Sequence, residues 1–375
     1  MQKVVLLSVH PLYDTRIFNH AHTLSKYDCE LTYINQSPDD YAWPLSHEDH
    51  VTLVHRTKSQ VFGTNVFRYL NFLRWCFFEA RRSRPDLVHI HDLPLLPLVP
   101  FLKYGLGSKV VFDVHEYFSQ MPGFFGTIAK LYYRLFYPLL DGAVGVCRDV
   151  LPSEKVPYKI VPNYQRSEVF QSDETPSDLL TIIYFGSLDT HDRDVELMIN
   201  IAWLLLRAYP TIGFQIAGKL RGPKSEHYDA QLTELSQEFG CRFEWLHEIP
   251  QGEVFERTAR ADIGIWFLKE EVPNASPNKI FQYLAAGLGI VATDGFSIAE
   301  RVRETGSGIT VPAGISAEDL VKRMEGLLGN QKELKTMKKA SSALGIEYTW
   351  ESVATNYIEL YRELGVILEP SINSR

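Results

Sequence analysis

The sequence predicts an α/β protein made of two doubly wound domains, each a parallel sheet with helices on both faces. Three observations carry this expectation. Short β-branched apolar runs alternate with longer stretches of helical period along most of the chain, as parallel strands joined by crossover helices require. The alternation stops at a polar, proline-containing stretch, Arg166–Asp178, and then restarts, as it would after a linker. At 375 residues the chain is also long enough for two domains of ordinary size, each with its own core.

The elements follow in order. Val4–Ser8 reads as the first strand, Arg16–Lys26 as a helix, Glu30–Ile34 and Val51–Val54 as strands, and Val61–Ser83 as a long helix. Strand Leu87–His91, a helix near Leu95–Tyr104, strand Lys109–Asp113, a helix over Thr127–Leu140 and strands Gly142–Val146 and Lys159–Val161 complete the first half. The second half reads as strand Thr181–Phe185, helix Val195–Tyr209, strand Gly213–Ala217, helix Tyr228–Gly240 and strand Arg242–Leu246, then strand Ala261–Leu268. The halves share a pattern without an internal sequence repeat. Two doubly wound domains facing each other are expected to bind a ligand in the cleft between their strand ends.

Composition narrows the class. With 45% hydrophobic and 22% charged residues the chain reads as a soluble globular protein, and a formal net charge of −8 argues against a dedicated nucleic-acid binder. Cys29, Cys76, Cys147 and Cys241 lie far apart with no metal-ligand pairing, which fits reduced thiols in a cytoplasmic protein. The start, M-Q-K-V-V-L-L-S-V-H, is too short an apolar run for a signal peptide, and no apolar run reaches the ~18–20 residues needed to cross a bilayer.

The stretch N-A-S-P-N-K-I-F-Q-Y-L-A-A-G-L-G-I-V-A-T-D, Asn274 to Asp294, concentrates the chemistry. A short helix with Ser276 as N-cap and Pro277 at its first position, closed by Gly287, leads into strand Gly289–Thr293. Lys279 falls in the first turn, where a cation opposes the helix dipole at a cost of ~0.3–1 kcal/mol. Free N–H groups and one lysine beyond a strand end would form a phosphate cradle. The plainer reading is a loop lysine that points into water.

P-N-K-I-F-Q-Y-L-A-A-G-L-G-I-V-A-T-D resembles the corresponding segment of the retaining GT-B glycosyltransferases of family 4, the glycosyl transferases group 1. Y-D-T-R-I-F (Tyr13–Phe18), D-L-V-H-I-H-D-L-P (Asp86–Pro94), F-D-V-H-E (Phe112–Glu116), V-P-N (Val161–Asn163), Y-F-G-S-L (Tyr184–Leu188) and A-D-I-G-I (Ala261–Ile265) agree with that family in order. Y-T-W-E (Tyr348–Glu351) looks like the start of the family's last helix, which packs back on the N-terminal domain. The resemblance spans essentially the whole chain. It implies GT-B architecture: a Rossmann-like acceptor-side domain over residues 1–164, a Rossmann-like nucleotide-sugar domain over 165–345, and a returning helix over 346–375.

By this resemblance the donor diphosphate lies at Ser276, Pro277, Asn278 and Lys279, with Ile280 next to them. Many members carry two glutamates in this segment, one near the donor sugar and one near the ribose. Here Asn274 and Gln282 stand in those places. Both can hydrogen-bond to hydroxyls, but Asn274 could not stabilise positive charge on an anomeric carbon as a carboxylate would. In the loop around Gly186 the family commonly has an arginine after the glycine and a lysine further on. This chain has Ser187 and Arg193, so one cation is missing and the other becomes a planar fork suited to phosphate. Lys219 and Arg221 could replace the lost charge or face solvent.

In the first half His115 matches the family histidine close to the reacting sugar, flanked by Asp113 and Glu116. Its plainer reading is a strand-end histidine that caps a loop. Asp14 and Arg16 follow strand one and could meet the acceptor or a donor phosphate, or could be a helix-start aspartate with an exposed arginine. His89 and His91 share one face of a strand, with Asp92 beside them, but no third ligand has a convincing spacing, and the resemblance implies no catalytic metal and no cofactor beyond the nucleotide-sugar substrate. Val66–Arg84 and Tyr117–Tyr137 mix aromatics with basic residues, fitting either an anionic membrane surface or core helices with snorkelling arginines. Phe118, in the loop Phe118–Phe125 after His115, is the acceptor-side candidate.

The expected function is that of a cytoplasmic, retaining glycosyltransferase, peripheral on the inner face of the plasma membrane. It would move a sugar from a nucleoside diphosphate to a lipid-linked saccharide in bacterial surface polysaccharide assembly. Asn274, Gln282 and Ser187 keep two alternatives open: a nucleotide-sugar-binding module that has lost the chemistry, or a nucleotide-sugar epimerase of the same fold.

Overall fold

The computed structural model describes residues 1–12, 14–37, 43, 45, 50–57, 65–121, 123–167, 179–271 and 277–371. The chain divides into two units, Met1–Pro162 with Val353–Arg375, and Asn163–Ser352. The linker expectation falls mostly on residues 168–178, outside the described residues.

The first unit runs β1 (Gln2–Ser8), α1 (Thr15–Ser25), β2 (Cys29–Ser37), β3 (Val51–Thr57), α2 (Val66–Ser83), β4 (Leu87–Ile90), β5 (Lys109–Val114), α3 (Phe124–Phe136), β6 (Gly142–Gly145) and β7 (Tyr158–Ile160). Its sheet is parallel throughout, in the order β3-β2-β1-β4-β5-β6-β7. Helices on both faces explain why β1, β4 and β5 read as near-continuous apolar runs: Val4–Leu7 and Val110–Phe112 are fully buried. α2 begins at Val66, with the Asn65 side chain accepting from Phe67 N at 2.8 Å; residues 61–64 of the longer expected helix lie outside the described residues.

Two expected helices are corrected. Leu95–Tyr104 is no α-helix but a 3₁₀ stretch, Leu93–Leu98, followed by a π turn, Phe101–Gly105. Pro97 and Pro100 lack the N–H that an α-helix needs and crowd the carbonyl four residues back. The helix expected over Thr127–Leu140 starts earlier, at Phe124, and gives way to a 3₁₀ turn, Tyr137–Leu139, at Pro138.

The second unit runs β8 (Leu180–Phe185), β9 (Leu188–Asp189), α4 (Val195–Ala208), β10 (Ile212–Ala217), β11 (Leu220–Arg221), α5 (Ser225–Phe239), β12 (Phe243–Trp245), α6 (Gln251–Ala259), β13 (Ile263–Trp266), α7 (Asn278–Ala285), β14 (Gly289–Thr293), α8 (Ala299–Thr305), β15 (Gly308–Val311), α9 (Ala317–Gly329) and α10 (Gln331–Gly345). The main sheet, again parallel, has the order β12-β10-β8-β13-β14-β15, so strand order reverses between β8 and β13. In an open α/β sheet the carboxyl ends at such a reversal are where ligands bind.

α11 (Trp350–Glu363) ends the chain's helices, and its later turns belong to the first unit. Tyr357 donates to Asp113 Oδ2 at 2.8 Å, Tyr361 lies 2.9 Å from His20 Nε2 and 2.7 Å from His89 Nδ1, and Asn356 donates to the Ile160 carbonyl at 2.8 Å. All three tie α11 to strands or helices distant in sequence.

Candidate functional site

In the second unit the loop leaving β8 and the start of α7 come together. Gly186 N donates to Ala217 O at 2.9 Å, and a Cβ on Gly218, whose φ is +148°, would lie 1.7 Å from the Gly186 carbonyl oxygen. Only glycine fits position 218. A Cβ on Gly186 would lie 2.7 Å from Lys279 Cε, so the lysine crosses directly over the glycine loop. α7 is seated by Tyr283, whose ring covers Gly264 of β13 so closely that a Cβ there would be 2.4 Å from the ring, and whose hydroxyl donates to Ile265 O at 3.0 Å.

The start of α7 differs from the sequence expectation. Pro277 is the cap residue, in extended conformation, and Asn278 is the first helical residue. Pro277 offers its carbonyl to Ile280 N at 3.1 Å, which leaves the N–H groups of Asn278 and Lys279 ahead of the first intrahelical bond. Ser276 and Asn274 lie outside the described residues. Ile280 is fully buried in the core, whereas Asn278 is exposed.

Arg193 joins Lys279 at this point. The segment carrying it is stitched to the end of β13, with Asp194 N on Phe267 O at 3.1 Å and Lys269 N on Asp192 O at 2.9 Å. The Arg193 guanidinium stands 5.8 Å from the centroid of Trp266 and pairs at 2.7 Å with the half-exposed Asp192, while its buried Nε has no hydrogen-bond partner among the described residues. Lys279 donates to the neutral Gln282 Oε1 at 2.7 Å. Burial, and then the charge of Arg193, push the Lys279 ammonium down to about 8. Two neighbouring cations, one with an unsatisfied N–H, beside a helix start make a site that an anion would relieve.

The other candidates divide. Gln282 is buried and spends its oxygen on Lys279. Ser187 is exposed, and its carbonyl accepts from the Tyr184 hydroxyl at 2.7 Å. Lys219 pairs with Glu248 at 3.1 Å, so its charge is already answered.

In the first unit the structure gathers more than the sequence indicated. His10, Asp92 and His115 follow β1, β4 and β5, three adjacent strands at that sheet's own reversal of order. His10 Nε2 lies 2.8 Å from Asp92 Oδ1 and 2.9 Å from His115 Nε2. Burial disfavours the His10 imidazolium, but Asp92, with Asp14 and Glu116, outweighs it and the ring is pushed up to about 10. Burial and then His10 lower His115. Glu116 is exposed, whereas Phe118 is buried, its ring edge-on to His115 at 5.8 Å.

Asp14 caps α1, accepting from Arg16 N at 3.0 Å and Ile17 N at 3.1 Å. Arg16 is not an exposed arginine: it is buried, its Nη2 2.8 Å from Asp113 Oδ1 and its Nη1 donating to Val161 O at 2.7 Å. The third ligand that spacing did not supply for His89 and His91 is also present, because α1 brings His20 within reach of both. These rings are fully buried and already engaged, with His20 Nδ1 3.0 Å from His91 Nε2 and Tyr361 between His20 and His89. Sequence reasoning missed His10 and His20; the one signal for either was a polar residue at a strand end or on the inner face of a helix.

Residues 180–330 match the family model described as Glycosyl transferases group 1. No curated protein matches the chain by sequence. Among solved structures, sucrose-phosphate synthase from Thermosynechococcus elongatus is similar at 14% identity over 97% of this chain and 99% of that one, with a TM-score of 0.72. Anabaena HepE in complex with UDP and glucose is similar at 12% identity over 97% and 100%, with a TM-score of 0.73. A glycosyltransferase from Rickettsia africae is similar at 14% identity over 97% and 98%, with a TM-score of 0.68. At these identities the likeness establishes the fold, two Rossmann-like domains in GT-B architecture. The family match marks residues 180–330 as a glycosyltransferase domain, and the chain is a transferase enzyme.

Proposed function

We propose that the chain is a retaining glycosyltransferase of family 4 that moves a sugar from a nucleoside diphosphate to an acceptor hydroxyl. The observation that carries the donor assignment is the Lys279–Arg193 cation pair at the start of α7, over the glycine loop of β8. A diphosphate there would take charged hydrogen bonds from both side chains and from the first-turn N–H groups of Asn278 and Lys279. The same groups would stabilise the diphosphate as it leaves, with the acceptor hydroxyl arriving on the face from which it departs. No catalytic metal is needed in this scheme, since the leaving charge is met by side chains and backbone. HepE was captured with UDP and glucose and with UDP-glucose, so uridine donors are the first to test.

The acceptor we propose is a lipid-linked saccharide of bacterial surface polysaccharide assembly, met at the cytoplasmic face of the membrane. Supporting this, α2 exposes Phe67 and Leu70 alongside Arg68 and Arg74, and α3 exposes Phe124, Leu131 and Leu135 alongside Lys130 and Arg134. No helix of the described residues is long and apolar enough to cross a membrane. The test is calorimetry against a panel of nucleotide sugars, followed by nucleotide release with and without bacterial lipid extract. Tight donor binding with no turnover in any extract sinks the transferase reading and leaves a binding module; rearranged donor without acceptor identifies an epimerase.

A further inference from the structure

We propose that Asp92 and His10 form a positioning pair that fixes the tautomer of His115, so that its Nδ1–H is held ready as a donor to a substrate oxygen.

Asp92 is an ionised carboxylate, which can only accept hydrogen bonds. Asp92 is 3% exposed and anchored, its Oδ2 accepting from Val9 N at 2.7 Å. Its Oδ1 lies 2.8 Å from His10 Nε2, so that nitrogen carries a proton. The same Nε2 lies 2.9 Å from His115 Nε2. Two protonated nitrogens cannot face each other there, so His115 Nε2 must present its lone pair. A neutral His115 then bears its single proton on Nδ1. That ring is kept neutral by burial and by His10. Phe118, edge-on at 5.8 Å, packs against its orientation, and the Nδ1 atom is buried without a hydrogen-bond partner among the described residues.

Free histidine does not require this tautomer; here the strand ends impose it. A buried N–H without an acceptor is destabilising, and the arrangement persists because β1, β4 and β5 over-determine it. An incoming hydroxyl or ring oxygen would satisfy the donor. That the oxygen belongs to a sugar rests on the proposed function, whereas the tautomer does not. The role of His10 is to act through His115, and it need not touch substrate.

The test is long-range proton–nitrogen NMR of the full chain labelled with ¹⁵N-histidine, at pH 7.5 and without ligand. His115 is assigned by loss of its signals in His115→Gln and, independently, by through-space contacts between its ring protons and those of Phe118, so the assignment does not depend on the variants that test the proposal. The expected result is a protonated Nδ1 and an unprotonated Nε2 on His115, with Asp92→Asn or His10→Gln releasing the ring to a mixture of tautomers. A protonated Nε2 in the wild type, or a tautomer unmoved by either variant, would overturn the proposal. So would added zinc displacing the His10 and His115 signals together, since the cluster would then be a metal site. Once a donor is identified, His10→Gln should lower kcat about 100-fold with less change in KM. Absence of any transfer with the tautomer in place counts against the proposed function alone.

Discussion

Lys279 crosses Gly186 so closely that a single methyl group on the glycine would collide with Cε of the lysine at 2.7 Å. The colliding atom is the far end of a flexible chain. Gly186→Ala should therefore leave thermal stability nearly unchanged while swinging the ammonium out of place. The expected outcome is nucleoside diphosphate affinity reduced about tenfold, ~1.4 kcal/mol, by calorimetry. A large fall in Tm with affinity intact would show the glycine serving the fold.

Lys279→Ala removes the charge itself. If the lysine holds phosphate, donor binding weakens by about 1.5–3 kcal/mol, as expected for a lost hydrogen bond to a charged group. Unchanged affinity would leave Lys279 as a structural partner of Gln282 with no part in holding phosphate.

The same lysine sets a pH dependence. Its ammonium, held down to about 8 in the free protein, is favoured by a bound diphosphate, which raises its pKa. Affinity should thus be full below pH 8 and fall as pH rises through that value, with net proton uptake on binding near pH 8–9. Calorimetry in buffers of different ionisation enthalpy measures that uptake. In Lys279→Ala the uptake should disappear.

Much of this site was legible in the sequence because its parts are local. A glycine after an apolar run, an arginine a few residues on and a lysine behind a proline each carry a recognisable signal, and the strand order brings them together. Pro277 shows the limit: a proline suits either the cap or the first turn, and the backbone decided for the cap. His10, Asp92 and His115 converge from strand ends 105 residues apart in the extreme pair, and no period or spacing encodes that meeting. His20 escaped for a similar reason, since a polar residue on the buried face of α1 makes sense only once Tyr361 arrives. α8, β15, α9 and α10 lie beyond Asp294, where the sequence reading placed no elements before the closing helix.

Acid should weaken the first unit before the second. His20, His89 and His91 are buried neutral, and burial first, then their mutual repulsion at His20 and His91, depresses them below the ordinary ~6.5. The unfolded chain takes up protons below that value and the folded unit does not, so stability is intact above about pH 6.5 and declines as pH falls. Burial alone would raise the Asp113 carboxyl, but Arg16 outweighs it and holds the group well below the usual carboxylate range, so its contribution is lost only at much lower pH. Hydrogen exchange at the β4 amides, faster at pH 5.5 than at 7.5 after correction for intrinsic rates, is the expected signature. Equal protection at both values would contradict it.

Membrane contact can be tested without knowing the acceptor. Phe67 and Leu131 are 78% and 50% exposed, so replacing both by serine should cost little stability. Co-sedimentation with vesicles containing anionic lipid should fall, and wild-type binding should weaken with added salt as basic side chains are screened. Identical sedimentation of both proteins would remove α2 and α3 from consideration as a lipid-facing surface.

Tyr357 and Tyr361 make the first unit discontinuous, and this bears on its birth. Residues 1–162 leave the ribosome with Asp113, His20 and His89 lacking phenolic partners that come about 200 residues after Pro162. At roughly 5–20 residues per second that is a wait of about 10–40 s. That wait is the time in which the second unit, continuous in sequence, is itself synthesised, so its last residue, Ser352, precedes Tyr357. The half that begins the message is therefore the half that finishes last, and a chain cut short before α11 would leave the nascent first sheet exposed to chaperones and proteases.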